Sequence, residues 1–354
     1  CHLLMGKIPV QFGVKYQSSV GLELNQLLFD GSYLVGLQAS RTFKELSNKA
    51  LKRTRIETAV AVTKAYYSVL VSNEQLSLID ANLSSLNKSL NDTKQFFKNG
   101  FAEQIDVDRL TVLVNNLETE KQNVINLLAL NVNLLKFQMG MSIGSTLTLT
   151  DKISDINSIG LTVEPSATAY RNRIEYSLLE TQKRLNELDL KRYKSQYLPT
   201  LSGFANTSAN YQDNTFKSLY DPSFPTTVIG LRLNVPIFSG FQRLYQVRNA
   251  KLEVVKAENN LINLEQSISL EVSQAETVFK NGQRSLANQQ RNMDLAKEVV
   301  RVSKIKYEQG VGSSLEVTTA ETSLKEAQNN YITALYDILI NRVNLDKALG
   351  NIKY

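Results

Sequence analysis

The chain has 354 residues, and 42% of them are apolar, which is enough for two or three domains with a buried core. Its 40 basic and 34 acidic residues are interspersed, and no recognition module accompanies the net charge of +6, so no nucleic-acid partner is expected. One cysteine, Cys1, and one histidine, His2, exclude a disulfide framework and most metal sites, because such sites need several ligands. We therefore expect neither a metal nor a cofactor.

The N-terminal end raises a question of processing. Cys1 could mark a lipid-modified mature terminus, but no lipidation signal precedes it, and Met5 follows closely. We interpret this end as a truncation of a longer natural chain rather than as a lipidation site. The sequence has no apolar run of eighteen or more residues, so no helix is predicted to cross a bilayer.

The first predicted element is a strand. Apolar side chains alternate with polar or small ones there, which is the period of a sheet with one apolar and one polar face. The apolar positions are Val10, Phe12, Val14, Tyr16, Val20, Leu22, Leu24 and Leu28, and the opposite positions include Gly21, Glu23 and Asn25. Gln26 interrupts the alternation.

A long helix should follow over residues 32–99. No proline occurs between Pro9 and Pro165, and the helix would measure about 100 Å at 1.5 Å per residue. Large apolar residues recur there every seven positions, namely Val62, Val69, Leu76, Leu83, Leu90 and Phe97. Such a repeat predicts coiled-coil packing against a return helix that follows a turn at residues 99–104.

The second half of the chain repeats the first. Residues 21–31 (GLELNQLLFDG) and 230–240 (GLRLNVPIFSG) agree at six of eleven positions. Residues 95–140 also align with residues 305–350 without a gap. The chain is therefore two copies of one unit, and each copy contains a strand, a long helix, a tight turn and a shorter helix.

This duplication divides the chain into three parts. They are a first repeat over 1–140, a connector over 141–165, and a second repeat over 166–354 with a helix, a β-hairpin, a long helix and a return helix. The second long helix is predicted over residues 241–309. It and its return helix carry the same heptad pattern, at Val272, Phe279, Leu286, Met293, Val300, Tyr307, Val317, Leu324, Tyr331, Ile338 and Leu345.

The hairpin of the second repeat is predicted from strands at residues 199–210 and 229–237. The apolar residues of the 229–237 strand, together with two from the first strand of the chain, are our candidates for a membrane-facing surface: Leu22, Leu24, Ile229, Leu231, Leu233, Val235 and Ile237. Aromatic residues at the strand ends are typical of the interfacial girdle of an outer-membrane barrel, but they are also common at strand ends in soluble β-sandwiches. Open sheet edges do not survive in lipid and one chain has too few strands to close a barrel, so several chains would share one.

The sequence resembles the outer membrane efflux protein family over nearly its whole length. The motifs that carry the resemblance are Leu-Asn-Val-Pro-Ile-Phe-Ser-Gly at 233–240, Asn172-Arg173 with Glu175, Tyr197-Leu198-Pro199, Gly310-Val311-Gly312-Ser313 and Leu345-x-x-Ala348-Leu349-Gly350. The resemblance implies a mainly helical fold with a small β part. It also implies a homotrimer with four strands per chain, a twelve-stranded barrel in the outer membrane of a Gram-negative bacterium, and a helical tunnel crossing the periplasm.

One departure from the family pattern concerns the first repeat. Family members begin with a helix and a strand like residues 166–210, and the corresponding positions would precede residue 1. We therefore expect three strands per chain rather than four. The connector at 141–165 is implied to form part of a belt around the tunnel.

The helix tips are implied to meet a periplasmic adaptor protein. The candidate docking residues are Asn99, Gly100, Phe101, Gly310, Val311, Gly312 and Ser313. The alternative is that these are only turn residues, in which glycines supply positive φ angles. The family also narrows its tunnel with acidic residues just beyond the tips, and the matching positions here are Glu316, Asp106 and Thr319.

Glu316 has a second possible role. Three copies of this residue around an axis would form a negative ring that favours cations. However, Ser313-x-x-Glu316 also matches a capping box, in which the carboxylate ties down the start of a helix. The sequence leaves both roles open.

No catalytic constellation is visible, so the chain is not expected to be an enzyme. The main hypothesis is a passive outer-membrane duct of a tripartite efflux or type I secretion system, opened at the helix tips. Its partners would be two further copies, an adaptor, an inner-membrane pump of the RND, ABC or MFS type, and outer-membrane lipid. The alternative is a structural or tethering coiled-coil protein whose strands form a soluble sheet.

Overall fold

The computed structural model describes residues 13–151, 153 and 169–353. Its elements are β1 (Tyr16–Phe29), α1 (Gly31–Lys98), α2 (Gln104–Gln138), α3 (Ala169–Asn172), α4 (Ile174–Ser195), β2 (Thr200–Asp213), a 3₁₀ turn (Phe216–Ser218), β3 (Phe224–Asn234), α5 (Gln242–Glu308) and α6 (Ser314–Leu349). Cys1, His2, Val10, Phe12 and most of the predicted connector lie outside the described residues.

The two long helices agree closely with the predicted ones. α1 and α5 begin and end within one residue of the expected bounds. α1 starts directly after β1, where the Asp30 carboxylate accepts a hydrogen bond of 2.6 Å from the Ser32 N–H and so satisfies a donor of the first turn. Both helices end two residues before a glycine with a positive φ, Gly100 at 80° and Gly310 at 73°.

The chain divides into two compact units. The first comprises residues 1–46 and 180–259, and the second comprises residues 47–179 and 260–354. The first unit contains all three strands of the described chain, paired antiparallel in the order β1-β2-β3. Three strands were expected in this chain, and the described residues form that number.

The last strand is displaced from its predicted position: it was predicted over residues 229–237 and spans Phe224–Asn234. β3 ends at Asn234, so Val235 and Ile237, which were assigned to a membrane-facing strand, lie beyond it. Asn234 pairs with Thr200, the first residue of β2, so the neighbouring strand offers no further partner, and Pro236 has no N–H group to donate to a neighbouring strand. The alternation of apolar residues thus continues for three residues after the pairing has stopped.

The second unit is held together by the predicted heptads. In the second repeat, Phe279, Met293 and Val300 of α5 pack against α6, where Leu335 and Leu345 are almost completely buried. In the first repeat, equivalent α1 residues form a cluster with five buried apolar residues of α2, which are Val107, Leu110, Val114, Leu117 and Val124. Phe97 is the exception, since it remains 41% exposed beside the turn.

Candidate functional site

One face of the sheet is apolar and uncovered. In the strand register, Leu24 pairs with Ala205, and Ala205 pairs with Ile229. The apolar positions of β1 and β3 therefore lie on the same face of the sheet, on either side of small residues of the middle strand β2. Leu22 and Ile229 are each 78% exposed, and Leu231 is 70% exposed. Residues with this exposure need a nonpolar environment that the described chain does not supply.

The opposite face of the sheet is polar. It carries Glu23 and Asn25 of β1, Asn206 of β2, and Arg232 and Asn234 of β3, as the strand alternation requires. The Asn25 amide group donates a hydrogen bond of 2.7 Å to the Glu23 carboxylate. In the part of the chain that the structure describes, no helix is both long and apolar enough to cross a membrane.

The first tip is the turn between α1 and α2. Gly100 adopts a φ of 80°, and the Phe101 N–H donates to the Phe96 carbonyl oxygen at 2.9 Å. The Asn99 side chain donates to the Gln95 carbonyl oxygen at 2.9 Å. Phe101 itself is 84% exposed, so this tip presents an aromatic ring to its surroundings.

The second tip is the turn between α5 and α6. The N–H groups of Val311 and Gly312 both donate to the Lys306 carbonyl oxygen at 3.0 Å. A Cβ atom at Gly312 would lie 2.9 Å from the Lys306 Cβ atom, so the turn has no space for a side chain there. Val311 is 76% exposed and occupies a position like that of Phe101.

The predicted constriction residues fall into two different environments. Glu316 and Thr319 are exposed on one side of α6, while Val317 and Ala320 between and beside them are buried. The Glu316 N–H donates to the Ser313 hydroxyl oxygen at 3.2 Å, which is half of the predicted capping box. The Glu316 carboxylate forms no hydrogen bond or ion pair with other residues of the described chain.

Asp106 is engaged within the protein. Its carboxylate accepts a hydrogen bond of 3.1 Å from the Glu103 N–H, lies 3.6 Å from the Arg109 guanidinium, and accepts a hydrogen bond from the Ser314 hydroxyl group. Ser314 belongs to α6, so this carboxylate joins the two tips. Sequence reasoning treated Asp106 as the counterpart of Glu316 and missed Ser314, whose only signal was its place beside the helix N-cap.

A second group of charges joins α4, α5 and α6. The Arg173 guanidinium is nearly buried, and it pairs with Glu175 at 2.9 Å and with Glu271 at 3.0 Å. It also donates to the Ala348 carbonyl oxygen at 3.2 Å. Burial raises the pKa of the Glu175 carboxyl group, but the hydrogen bonds and charge of Arg173 outweigh burial, and the pKa is lowered.

Among the described residues, no group of three His, Cys, Asp or Glu side chains is placed to bind a metal ion. The candidate functional features of the described residues are surfaces, namely an apolar sheet face, a polar sheet face and two exposed tips.

Comparison with known proteins agrees with this geometry. The model of the family "Outer membrane efflux protein" matches residues 12–140 and 167–351. The outer membrane protein TolC of Salmonella enteritidis is 24% identical over 351 residues, which cover 95% of this chain and 70% of that protein. The proteases secretion protein PrtF of Dickeya chrysanthemi is 22% identical, and the match covers 94% of this chain and 72% of that protein.

Solved structures establish the fold. The crystal structure of CusC matches with a TM-score of 0.78 at 17% identity, covering 95% of this chain and 83% of that one. The open state of the Neisseria gonorrhoeae MtrE outer membrane channel matches with a TM-score of 0.76 at 14% identity, covering 95% and 80%. The chain is an outer-membrane channel protein, and it belongs to the outer membrane efflux protein family.

Proposed function

We propose that three copies of this chain form one passive duct, which receives cargo at the helix tips and releases it beyond the outer membrane. The observation that carries this proposal is the sheet with one exposed apolar face and one polar face. In a shared barrel the apolar face would contact lipid and the polar face would line a water-filled lumen. The tethering alternative leaves the apolar face without a role.

The need for several copies in this proposal follows from the edges of the sheet. In the described chain, β1 and β3 each have one neighbour, so each leaves a row of backbone N–H and C=O groups unpaired. Each such group costs several kcal/mol in hydrocarbon, at about the scale of a lost hydrogen bond in an apolar medium. Pairing with further copies removes this cost, and threefold symmetry accords with the family resemblance.

The tips are the proposed contact surface for an adaptor. Phe101 and Val311 are exposed apolar residues on short turns, and such residues contribute binding energy when a partner buries them. An inner-membrane pump of the RND, ABC or MFS type would complete the assembly. The names of similar proteins mention proteases, antibiotics and toluene, so we propose that the pump, and not the duct, selects the cargo.

The proposed constriction uses Glu316 and Thr319. Both lie exposed on the side of α6 that is away from its buried residues, where three copies could surround an axis. Three carboxylates in a narrow ring would favour cations. Asp106 has a different role in this proposal, because its bond to Ser314 holds the two tips together in the closed state.

Two adjacent residues on opposite sheet faces test the duct directly. Ile229→Arg places a charge on the apolar face, where it costs about 2–4 kcal/mol near the middle of a bilayer. The matched control Val228→Arg places the same charge on the polar face. We expect Ile229→Arg to reduce the amount of protein in outer-membrane fractions, and Val228→Arg to insert normally and to conduct ions in planar bilayers.

Two outcomes would contradict the proposal. Equal insertion of both variants would mean that Ile229 does not contact lipid. Wild-type protein that remains in the soluble fraction would instead support the tethering alternative.

A further inference from the structure

An aromatic ring and a guanidinium group are stacked on the polar face of the sheet. Phe204 of β2 is paired across the strands with Gly230 of β3, and its ring lies against that glycine. The Arg232 guanidinium carbon is 5.3 Å from the centre of the Phe204 ring, within the range of a cation–π contact. This group of three residues is called the Arg232 shelf below.

The shelf depends on the absence of a side chain at residue 230. A Cβ atom there would lie 2.8 Å from Cζ and 3.0 Å from Cε1 of Phe204. Either distance is too short for carbon atoms, so any other residue would displace the ring. Gly230 thus allows Phe204 to lie flat against β3, where it supports the arginine two residues further on.

The charge of Arg232 is not neutralised within the described chain. No carboxylate of the described residues lies within ion-pair distance of it. The three strands carry one other charge on the polar face, Glu23, which is paired through Asn206 with Val228. Val228 is four residues before Arg232, which is about 13 Å along the strand at 3.3 Å per residue.

That separation decides whether the two charges cancel. The screening length is about 10 Å at 0.1 M salt, so charges that are about 13 Å or more apart in water act largely independently. The Phe204 ring also restrains the guanidinium group, so the positive charge stays over the polar face. On its polar face, the described sheet of each copy therefore presents one localised positive charge, near the end where β3 finishes.

We propose that Arg232, held over Phe204, determines the charge selectivity of the part of the duct that the strands form. This inference rests on the proposed function, because it requires the polar face to line a lumen shared by three copies. Three arginines around that lumen form a positive ring. The ring attracts anions and the anionic groups of cargo, since charged rings in a pore select ions by sign.

Ion selectivity of the reconstituted channel tests the inference. Purified full-length chain is inserted into planar bilayers, and the K⁺/Cl⁻ permeability ratio is obtained from the reversal potential in a KCl gradient. Arg232→Gln should raise this ratio about twofold or more, because the positive ring is lost. Lys217→Gln is the matched control: it removes the same charge from the exposed 3₁₀ turn outside the strands and should leave the ratio unchanged.

Two further variants separate charge from packing. Arg232→His should give a ratio that rises between pH 5 and pH 8, because histidine loses its charge near pH 6.5. Phe204→Leu should raise the K⁺/Cl⁻ permeability ratio less than Arg232→Gln does, because the arginine keeps its charge and loses only the contact with the aromatic ring. The histidine variant also provides a result if the glutamine variant fails to insert.

The results distinguish this inference from the function on which it depends. A wild-type channel that conducts, combined with an unchanged ratio in Arg232→Gln or a pH-independent ratio in Arg232→His, overturns the selectivity role and leaves the duct intact. Wild-type protein that inserts but conducts no ions overturns both.

Discussion

The hydroxyl group of Ser314, in the first turn of α6, donates a hydrogen bond to the carboxylate of Asp106, in the first turn of α2. The two residues are 208 positions apart, and each lies just beyond one of the two tips. The same carboxylate accepts the Glu103 N–H, so it organises its own helix start and joins that start to the other hairpin. Loss of this carboxylate should therefore loosen the tips without disturbing the sheet.

The first prediction concerns opening at the tips. A hydrogen bond to a charged group contributes about 1.5 kcal/mol, so Asp106→Asn should increase the open fraction about tenfold, seen as larger single-channel conductance. Asp108→Asn is the control, because the Asp108 carboxylate accepts a bond of 2.7 Å from Gln104 of its own helix and, among the described residues, joins no other element. Equal effects of the two variants would show that the contact with Ser314 does not hold the tips closed.

The second prediction concerns the Arg173 ion pairs. Arg173→Met leaves two carboxylates and the Ala348 carbonyl oxygen without their donor, which should lower the free energy of unfolding by about 3 kcal/mol. Arg184→Met removes a largely exposed pair with Glu45 and should cost less than about 1 kcal/mol. Denaturant unfolding measures both values, and similar costs would argue against a structural role for the buried arginine.

The third prediction concerns acid stability. Because the folded pKa of Glu175 is below its ordinary value of 4.5, its contribution to stability is fully present above pH 4.5. That contribution is lost as the pH falls through the folded pKa. Glu175→Gln should therefore be less stable than wild type at pH 7, and the difference should shrink as the pH is lowered below 4.5. Unfolding curves between pH 3 and pH 7 measure this, and a constant difference would contradict the assignment.

The fourth prediction concerns the helical core. Leu335 is fully buried in the cluster between α5 and α6, so Leu335→Ala should destabilise the protein by about 3 kcal/mol through the cavity it leaves. Leu335→Met conserves the volume and should cost less than about 1.5 kcal/mol. Thermal or denaturant unfolding would reveal a tolerant core if both variants had the same small effect.

The fifth prediction concerns the adaptor. Phe101→Ser combined with Val311→Ser removes the two exposed apolar side chains of the tips and should weaken adaptor binding at least about tenfold. Gln309→Ser changes an exposed polar residue beside the second tip and should bind normally. Crosslinking to a purified periplasmic adaptor provides the measurement. Unchanged binding of the double variant would leave these residues with the role of turn formers only.

Much of this architecture could be read from neighbouring residues in the sequence. The α1 and α5 bounds agreed with prediction because proline and glycine act on the backbone locally. The apolar face of the sheet was predicted because alternation along a strand needs no knowledge of its partner. The end of β3 was missed because side-chain alternation continues through Pro236 while hydrogen bonding does not.

The sequence by itself thus determined the duplicated helical hairpins, the strand faces and the positions of the tips, because each depends on periodicity or on one residue's backbone preference. Only the tertiary structure decided which distant groups meet. The Asp106–Ser314 bond, the Arg173–Glu271 pair and the stacking of Arg232 on Phe204 join different elements. Such contacts depend on strand register and helix packing, which arise from the summed burial of many side chains and are not encoded at either residue alone.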